Sequence, residues 1–87
     1  MPSDKDPKIF VVHVKPGSED LLVIKILNKA KYFYNKPGQL SIVSAMSLKK
    51  KFPGRIFVEA FSDSDVYESL SGLNDIYFGK KILPLEL

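Results

Sequence analysis

The chain has 87 residues, room for one small domain, and its 45% hydrophobic content argues against a disordered polymer. With no cysteine it has neither a disulfide framework nor a thiolate metal site, and its formal net charge of +3 is mildly basic, well short of a dedicated nucleic-acid arm. No apolar run approaches the roughly 20 residues of a membrane-spanning helix, and the polar opening Met1-Pro2-Ser3-Asp4-Lys5-Asp6 lacks a signal-peptide apolar region.

In chain order, residues 1–6 read as a frayed start or the boundary of an excised piece, and residues 7–87 as the domain. Ile9 to Val14 is a short apolar run ended by Lys15-Pro16-Gly17, which predicts a strand. Alternation sends Phe10, Val12 and Val14 to the core and Ile9, Val11 and His13 to the opposite face. Ser18 is placed as an N-cap, with Glu19 and Asp20 where the helix dipole favours acids. The helix is expected to reach about Asn35, with Val23, Ile26, Leu27, Ala30, Phe33 and Tyr34 inward, packing on the sheet. Lys25, Lys29 and Lys31 take mainly its outer face, and Lys36-Pro37-Gly38 stops it.

Leu40 to Met46 reads as a second strand, and Arg55 to Phe61 as a third. Between them lie Lys49-Lys50-Lys51, whose plain reading is a solvated loop, and the turn Phe52-Pro53-Gly54. In the third strand Ile56, Val58 and Ala60 share one apolar face, while Arg55, Phe57 and Glu59 share the other. Ser62, with Asp65 three residues on, predicts the capped start of a second helix whose buried stripe is Val66 and Leu70 and whose end is Gly72. Ile76-Tyr77-Phe78 is a short extended piece, and Ile82 to Leu85 the last strand, kept to a sheet edge because Pro84 has no N–H to donate.

This order, β-α-β-β-α-β, predicts an α+β, ferredoxin-like fold: a four-stranded antiparallel sheet with two helices on one face. The other face is left open, and function is expected there. A single histidine, His13, and the lack of a glycine-rich phosphate loop predict neither an enzyme nor a metal site. If the first and third strands are neighbours, Ile9, Val11 and Phe57 share the open face, and Phe52 extends their patch from the turn. Such a patch is either a docking surface or is covered by a loop or the C-terminal tail. Glu59 beside it is either a solvated acid or an acceptor for N–H groups at a partner's helix N-terminus.

Phe52-Pro53-Gly54 followed by Ile56-Phe57-Val58-Glu59-Ala60 resembles the signature strand of the NusG N-terminal (NGN) domain, and Val58-Glu59-Ala60 resembles its archaeal and eukaryotic branch, the large subunit of the DSIF-type transcription elongation factor. Asp6 to Val12, Lys15-Pro16-Gly17-Ser18-Glu19 and Ile82-Leu83-Pro84 agree with it, so the resemblance covers Asp6 to Leu87. It implies a domain that binds the RNA polymerase clamp coiled coil through a hydrophobic depression, here Ile9, Val11, Phe52, Arg55 and Phe57, and promotes processive elongation. It also implies a heterodimer with a small zinc-ribbon subunit by sheet extension, with Glu59 meeting that subunit near a helix start. The zinc belongs to the partner, and no cofactor is expected in this chain. Lys49, Lys50 and Lys51 are then candidates for non-specific contact with DNA phosphates. The setting implied is the nucleus, or the archaeal cytoplasm. Two departures stand out: Arg55 replaces an aromatic common among relatives, and the KOW domains that follow in full-length relatives are absent.

The main alternative is an RNA-recognition motif, which shares the element order but needs Phe10 on the open face to stack on bases. Arg55 and Ile56 depart from its conserved octamer, and an outward Phe10 would turn Val12 and Val14 outward too. The location of Phe10 separates the two readings. A small-ligand ferredoxin-like domain is a third, resting on fold analogy alone.

Overall fold

The structure, a computed structural model, describes residues 6–33 and 42–85. Its elements in chain order are β1 (Lys8–His13), α1 (Glu19–Phe33), β2 (Ile42–Ser47), β3 (Arg55–Ala60) and α2 (Asp63–Leu70). The strands form an antiparallel sheet in the order β1-β3-β2, so the strand with the cleanest alternation is central. Both helices pack against the same side of it.

Alternation sorts the side chains as expected. Phe10, Val12 and Val14 join Ile56, Val58 and Ala60 in the core, closed from above by Leu22 and Ile26 of α1 and by Val66 and Leu70 of α2. Phe10 is 2% exposed, so it cannot stack on a base, and the RNA-recognition-motif reading loses the residue it required.

The sheet has three strands among the described residues, where four were expected. The segment expected as the fourth strand does run along the outer edge of β1, but only as single antiparallel bridges: Phe10 to Pro84, and Val14 to Ile76 upstream. Leu85 N–H donates to Ile9 O at 2.6 Å and Tyr77 N–H to His13 O at 2.9 Å. The Val11 and Leu85 N–H bonds flank the Phe10–Pro84 bridge, so the nitrogen of Pro84 faces away from β1, toward the outer edge where proline is tolerated; a turn at Phe78-Gly79 separates the two bridges, and no continuous ladder forms. β2 departs in another way. Ile42 pairs with Ala60 but Ser44 with Glu59, so Val43 is an extra residue in a bulge. The bulge turns Ile42 toward the core and Ser44 and Met46 toward the open face, so a strict two-residue alternation does not run through this strand.

In α1 the inward side is carried by Leu22 and Ile26, with Val23 partly buried, while Leu27 is exposed. Ser18 also differs from expectation. Its carbonyl accepts the first helical hydrogen bond, from Leu22 N–H, but its hydroxyl donates to Asp75 Oδ2 at 2.8 Å. Lys29, expected on the outer face, reaches α2, where its ammonium donates to Glu68 O at 2.9 Å and Ser71 O at 2.7 Å. Glu68 O also accepts from Ser71 N–H at 3.2 Å, and the cation adds a second donor there and one for Ser71 O at the negative end of the helix dipole. α2 itself follows the prediction: Ser62 Oγ accepts from Asp65 N–H, and Gly72 adopts φ +82° just past the C-cap. The side chains of Phe33 and Tyr34, the stop Lys36-Pro37-Gly38 and Leu40 lie outside the described residues.

Candidate functional site

On the open face the strand register builds three rows. Val11 of β1, Phe57 of β3 and Met46 of β2 lie side by side across the sheet. One step toward one end, Ile9, Glu59 and Ser44 form a second row, and toward the other end His13 faces Arg55. Successive rows are about 7 Å apart, two residues along a strand. The central row is apolar, and the flanking rows are polar and basic.

The central row floors a depression of about 490 Å³ lined by Ile9, Val11, His13, Met46, Leu48, Phe52, Arg55, Phe57 and Leu85. The five residues expected to form a depression, Ile9, Val11, Phe52, Arg55 and Phe57, therefore come together. Its surface stays accessible: Ile9 is 41% exposed, Phe52 39% and Met46 53%. The C-terminal segment supplies Leu85 to its rim but does not close it. Apolar surface held open to water favours a partner that would cover it.

Phe52 is held at the rim by local geometry. The carbonyl of Leu48 accepts from Lys51 N–H at 3.0 Å and Phe52 N–H at 2.7 Å, winding the lysine-rich segment into a turn. Pro53 and a left-handed Gly54, φ +80°, then redirect the chain into β3. The Phe52 and Phe57 rings meet edge to face, with centroids 6.0 Å apart and planes at 75°. The Arg55 guanidinium carbon lies 5.9 Å from the Phe52 ring centre, so the cation packs on the aromatic wall.

The turn is tied to α1 by Glu19. This buried carboxylate accepts from Gly17 N–H through Oε1 and from Gly54 N–H through Oε2, each at 2.8 Å. The bond from Gly54, then that from its own backbone N–H, then that from Gly17, hold its pKa below the ordinary glutamate value against the opposing effect of burial. Nearby, Lys49 Nζ pairs with Asp20 Oδ2 at 2.6 Å, and Ser47 Oγ donates to Asp20 Oδ1 at 2.8 Å. These two bonds lower the Asp20 pKa. Lys49 is thus engaged within the chain, whereas Lys50 and Lys51 are exposed in the turn.

Glu59, half-buried on the open face, accepts from Ser44 Oγ at 3.1 Å. It stands one strand in from β2, which has β3 on one side and no strand on the other among the described residues. His13 has its pKa lowered by burial first and then by the positive charges of Lys80 and Arg55, so its imidazole is neutral near pH 7. Among the described residues no three histidine or carboxylate side chains gather where they could hold a metal.

Met46, Leu48 and Leu85 were missed as lining residues. Met46 is hidden in the sequence by the bulge, and Leu85 by a bridge between distant segments. Leu48 carried a usable signal, an apolar residue directly before a basic turn that leads into an aromatic.

Comparisons with known proteins place this geometry. The chain is 35% identical over 83 residues to the transcription elongation factor spt5 of Schizosaccharomyces pombe, covering 95% of this chain and 8% of that protein. It is 35% identical over 77 residues to SPT5 of Mycosarcoma maydis, covering 88% and 8%. It therefore spans about a twelfth of the length of these relatives, at 8%. Among solved structures, an Spt4 heterodimer complex from Methanococcus jannaschii matches with a TM-score of 0.72 and 24% identity, over 92% of this chain and 84% of that one. The N-terminal domain of NusG (NGN) from Methanocaldococcus jannaschii matches with a TM-score of 0.70 and 24% identity, over 91% and 88%. These two support the fold. The family model for the NGN section of Spt5, described as an early transcription elongation factor of RNA polymerase II, matches residues 8–86, and the chain belongs to that family.

Proposed function

We propose that this domain is the polymerase-docking module of its elongation factor, seating the tip of the RNA polymerase clamp coiled coil in the depression floored by Val11, Phe57 and Met46. The observation that carries this reading is that depression: apolar, open to water and walled by Phe52 on an anchored turn. Helix-in-groove recognition needs a rigid apolar surface with exposed anchors, and the sheet supplies it. Each fully covered anchor side chain contributes about 1.5–3 kcal/mol before association costs.

The heterodimer with a small zinc-ribbon subunit belongs to the same reading. Its support here is the unpaired outer edge of β2, where a partner strand extends the sheet, and Glu59 one strand away as the acceptor for N–H groups at a partner helix start. The M. jannaschii structure of the same fold was solved as a heterodimer with Spt4. Docked on the clamp and joined to that subunit, the domain closes over the nucleic-acid cleft and keeps elongation processive without doing chemistry itself. This work takes place in the nucleus, as the eukaryotic factors it resembles in sequence suggest. In this position the lysine turn meets DNA phosphate through Lys50 and Lys51, while Lys49 first has to leave Asp20.

The test is binding to a purified clamp coiled-coil peptide, wild type against Phe57→Ser. Saturable binding that is lost in the variant, with circular dichroism unchanged, is the expected result. A wild-type domain that ignores the peptide at concentrations where it binds a small zinc-ribbon subunit would leave a heterodimer module and sink the docking assignment.

A further inference from the structure

The open face carries its charge in one direction. On one side of the apolar row stands Glu59, bonded to Ser44; on the other, Arg55 faces His13. Arg55 and Glu59 are four residues apart on β3, about 13 Å along the strand. Lys80 lies close enough to His13 to bear on its proton affinity, and Lys81 lines the neighbouring groove with His13, Val11 and Leu83. At the His13 end, Arg55 lines the depression itself and Lys81 the groove beside it, with Lys80 acting on His13.

Among the described residues none of these three cations is in an ion pair. The single ion pair among the described residues is Lys49 with Asp20, on the lysine turn. Asp75, the acid near this end of β1, spends its carboxylate on the Ser18 hydroxyl and its carbonyl on Lys15 N–H. With His13 neutral, the charge is carried by the guanidinium and the ammonium groups. Arg55 is also held in place, packed on the Phe52 ring at the margin of the depression, and so presents a fixed fork of donors to whatever enters.

Resting on the docking proposed above, we infer that the helical tip seated in this depression carries an acidic side chain beside its apolar anchor, and that Arg55 receives that carboxylate. A protein partner fits these residues better than a nucleic acid does. The floor between the charges is aliphatic and thioether surface from Val11, Met46, Leu48 and Leu85. Its two aromatics, Phe52 and Phe57, are turned edge to face on one another, so they do not form the parallel platform on which bases stack. An apolar centre with cations at one end matches an amphipathic helix end whose anchor is followed by an acid. The acid fixes the direction in which the tip lies, because reversing it would bring its carboxylate to Glu59.

The experiment measures affinity of the 87-residue chain for the clamp coiled-coil peptide, with Phe57→Ser, Arg55→Gln, Arg55→Glu and Lys80→Glu, across a salt series. Arg55 and Lys80 are exposed, so these variants are expected to fold, which circular dichroism checks. Arg55→Glu is expected to weaken binding about tenfold at low salt and Arg55→Gln about threefold, with the differences shrinking as salt rises. Exchanging the acid at the peptide tip for lysine should weaken wild type and restore Arg55→Glu. Binding that is lost in Phe57→Ser but unchanged in Arg55→Glu and Lys80→Glu, and indifferent to salt, would overturn this inference and leave the docking intact. No binding by wild type at any salt would bring down both. Salt-sensitive capture of a DNA oligonucleotide that Arg55→Glu abolishes, with peptide binding untouched, would assign the cations to nucleic acid instead.

Discussion

Gly54 N–H donates to Glu19 Oε2 at 2.8 Å across 35 positions of sequence, tying the first turn of α1 to the turn that carries Phe52. The same carboxylate holds Gly17, so both of its glycine donors lie in backbone that bends sharply, with φ +101° at Gly17 and +80° at Gly54. The wall of the open depression is therefore anchored from the opposite layer of the fold.

Glu19→Gln places an NH₂ group where one of two N–H donors needs an acceptor, so its melting temperature at neutral pH should fall. The pH dependence follows from a depressed carboxyl pKa. Stability from this group is complete above the unfolded-state glutamate pKa of about 4.3 and is lost as pH falls through the lower folded value. Melting curves between about pH 7 and 3 should show a shallower acid decline in Glu19→Gln than in wild type, the remainder coming from Asp20.

Two left-handed glycines should respond differently to alanine. At Gly54 an added Cβ meets Val14 O at 3.3 Å, whereas at Gly72 it meets nothing within 4 Å. Gly72→Ala bears only the conformational cost, about 1 kcal/mol, and Gly54→Ala should cost about 2–3 kcal/mol in urea unfolding. Equal losses would mean that the crowding at Gly54 is relieved by a small shift of the Val14 carbonyl.

Lys29→Met keeps the aliphatic stem but takes the ammonium from Ser71 O and leaves Glu68 O with only the Ser71 N–H, at 3.2 Å. A loss of about 1 kcal/mol is expected by chemical denaturation, with amide exchange accelerated at the end of α2.

Adjacent residues of β3 should show opposite defects. Ile56 is fully buried, and Ile56→Ala should cost about 2–5 kcal/mol of stability. Phe57, half-exposed on the other face, should cost about 1–2 kcal/mol when changed to serine, while binding to the clamp peptide is lost. Unfolding and binding measured on the same two variants separate the faces.

Much of this arrangement is local in origin and could be read from the chain. A strand must point successive side chains to opposite faces, so the alternation in Ile9 to Val14 and Arg55 to Ala60 was enough to separate core from open face. Ser62 and Gly72 likewise marked the ends of α2, because caps act over three or four residues. What tertiary structure decided was where unpaired groups find distant partners. Nothing near Lys29 indicated the carbonyls of α2, and nothing near Glu19 indicated Gly54. The bulge at Val43 depends on β3 holding its own register, and the last expected strand meets β1 at a single bridge, between the bonds of Val11 N–H and Leu85 N–H, which only the meeting of the two segments decides. Side-chain direction follows from covalent geometry at each residue; hydrogen-bond satisfaction across the fold is settled only when the segments meet.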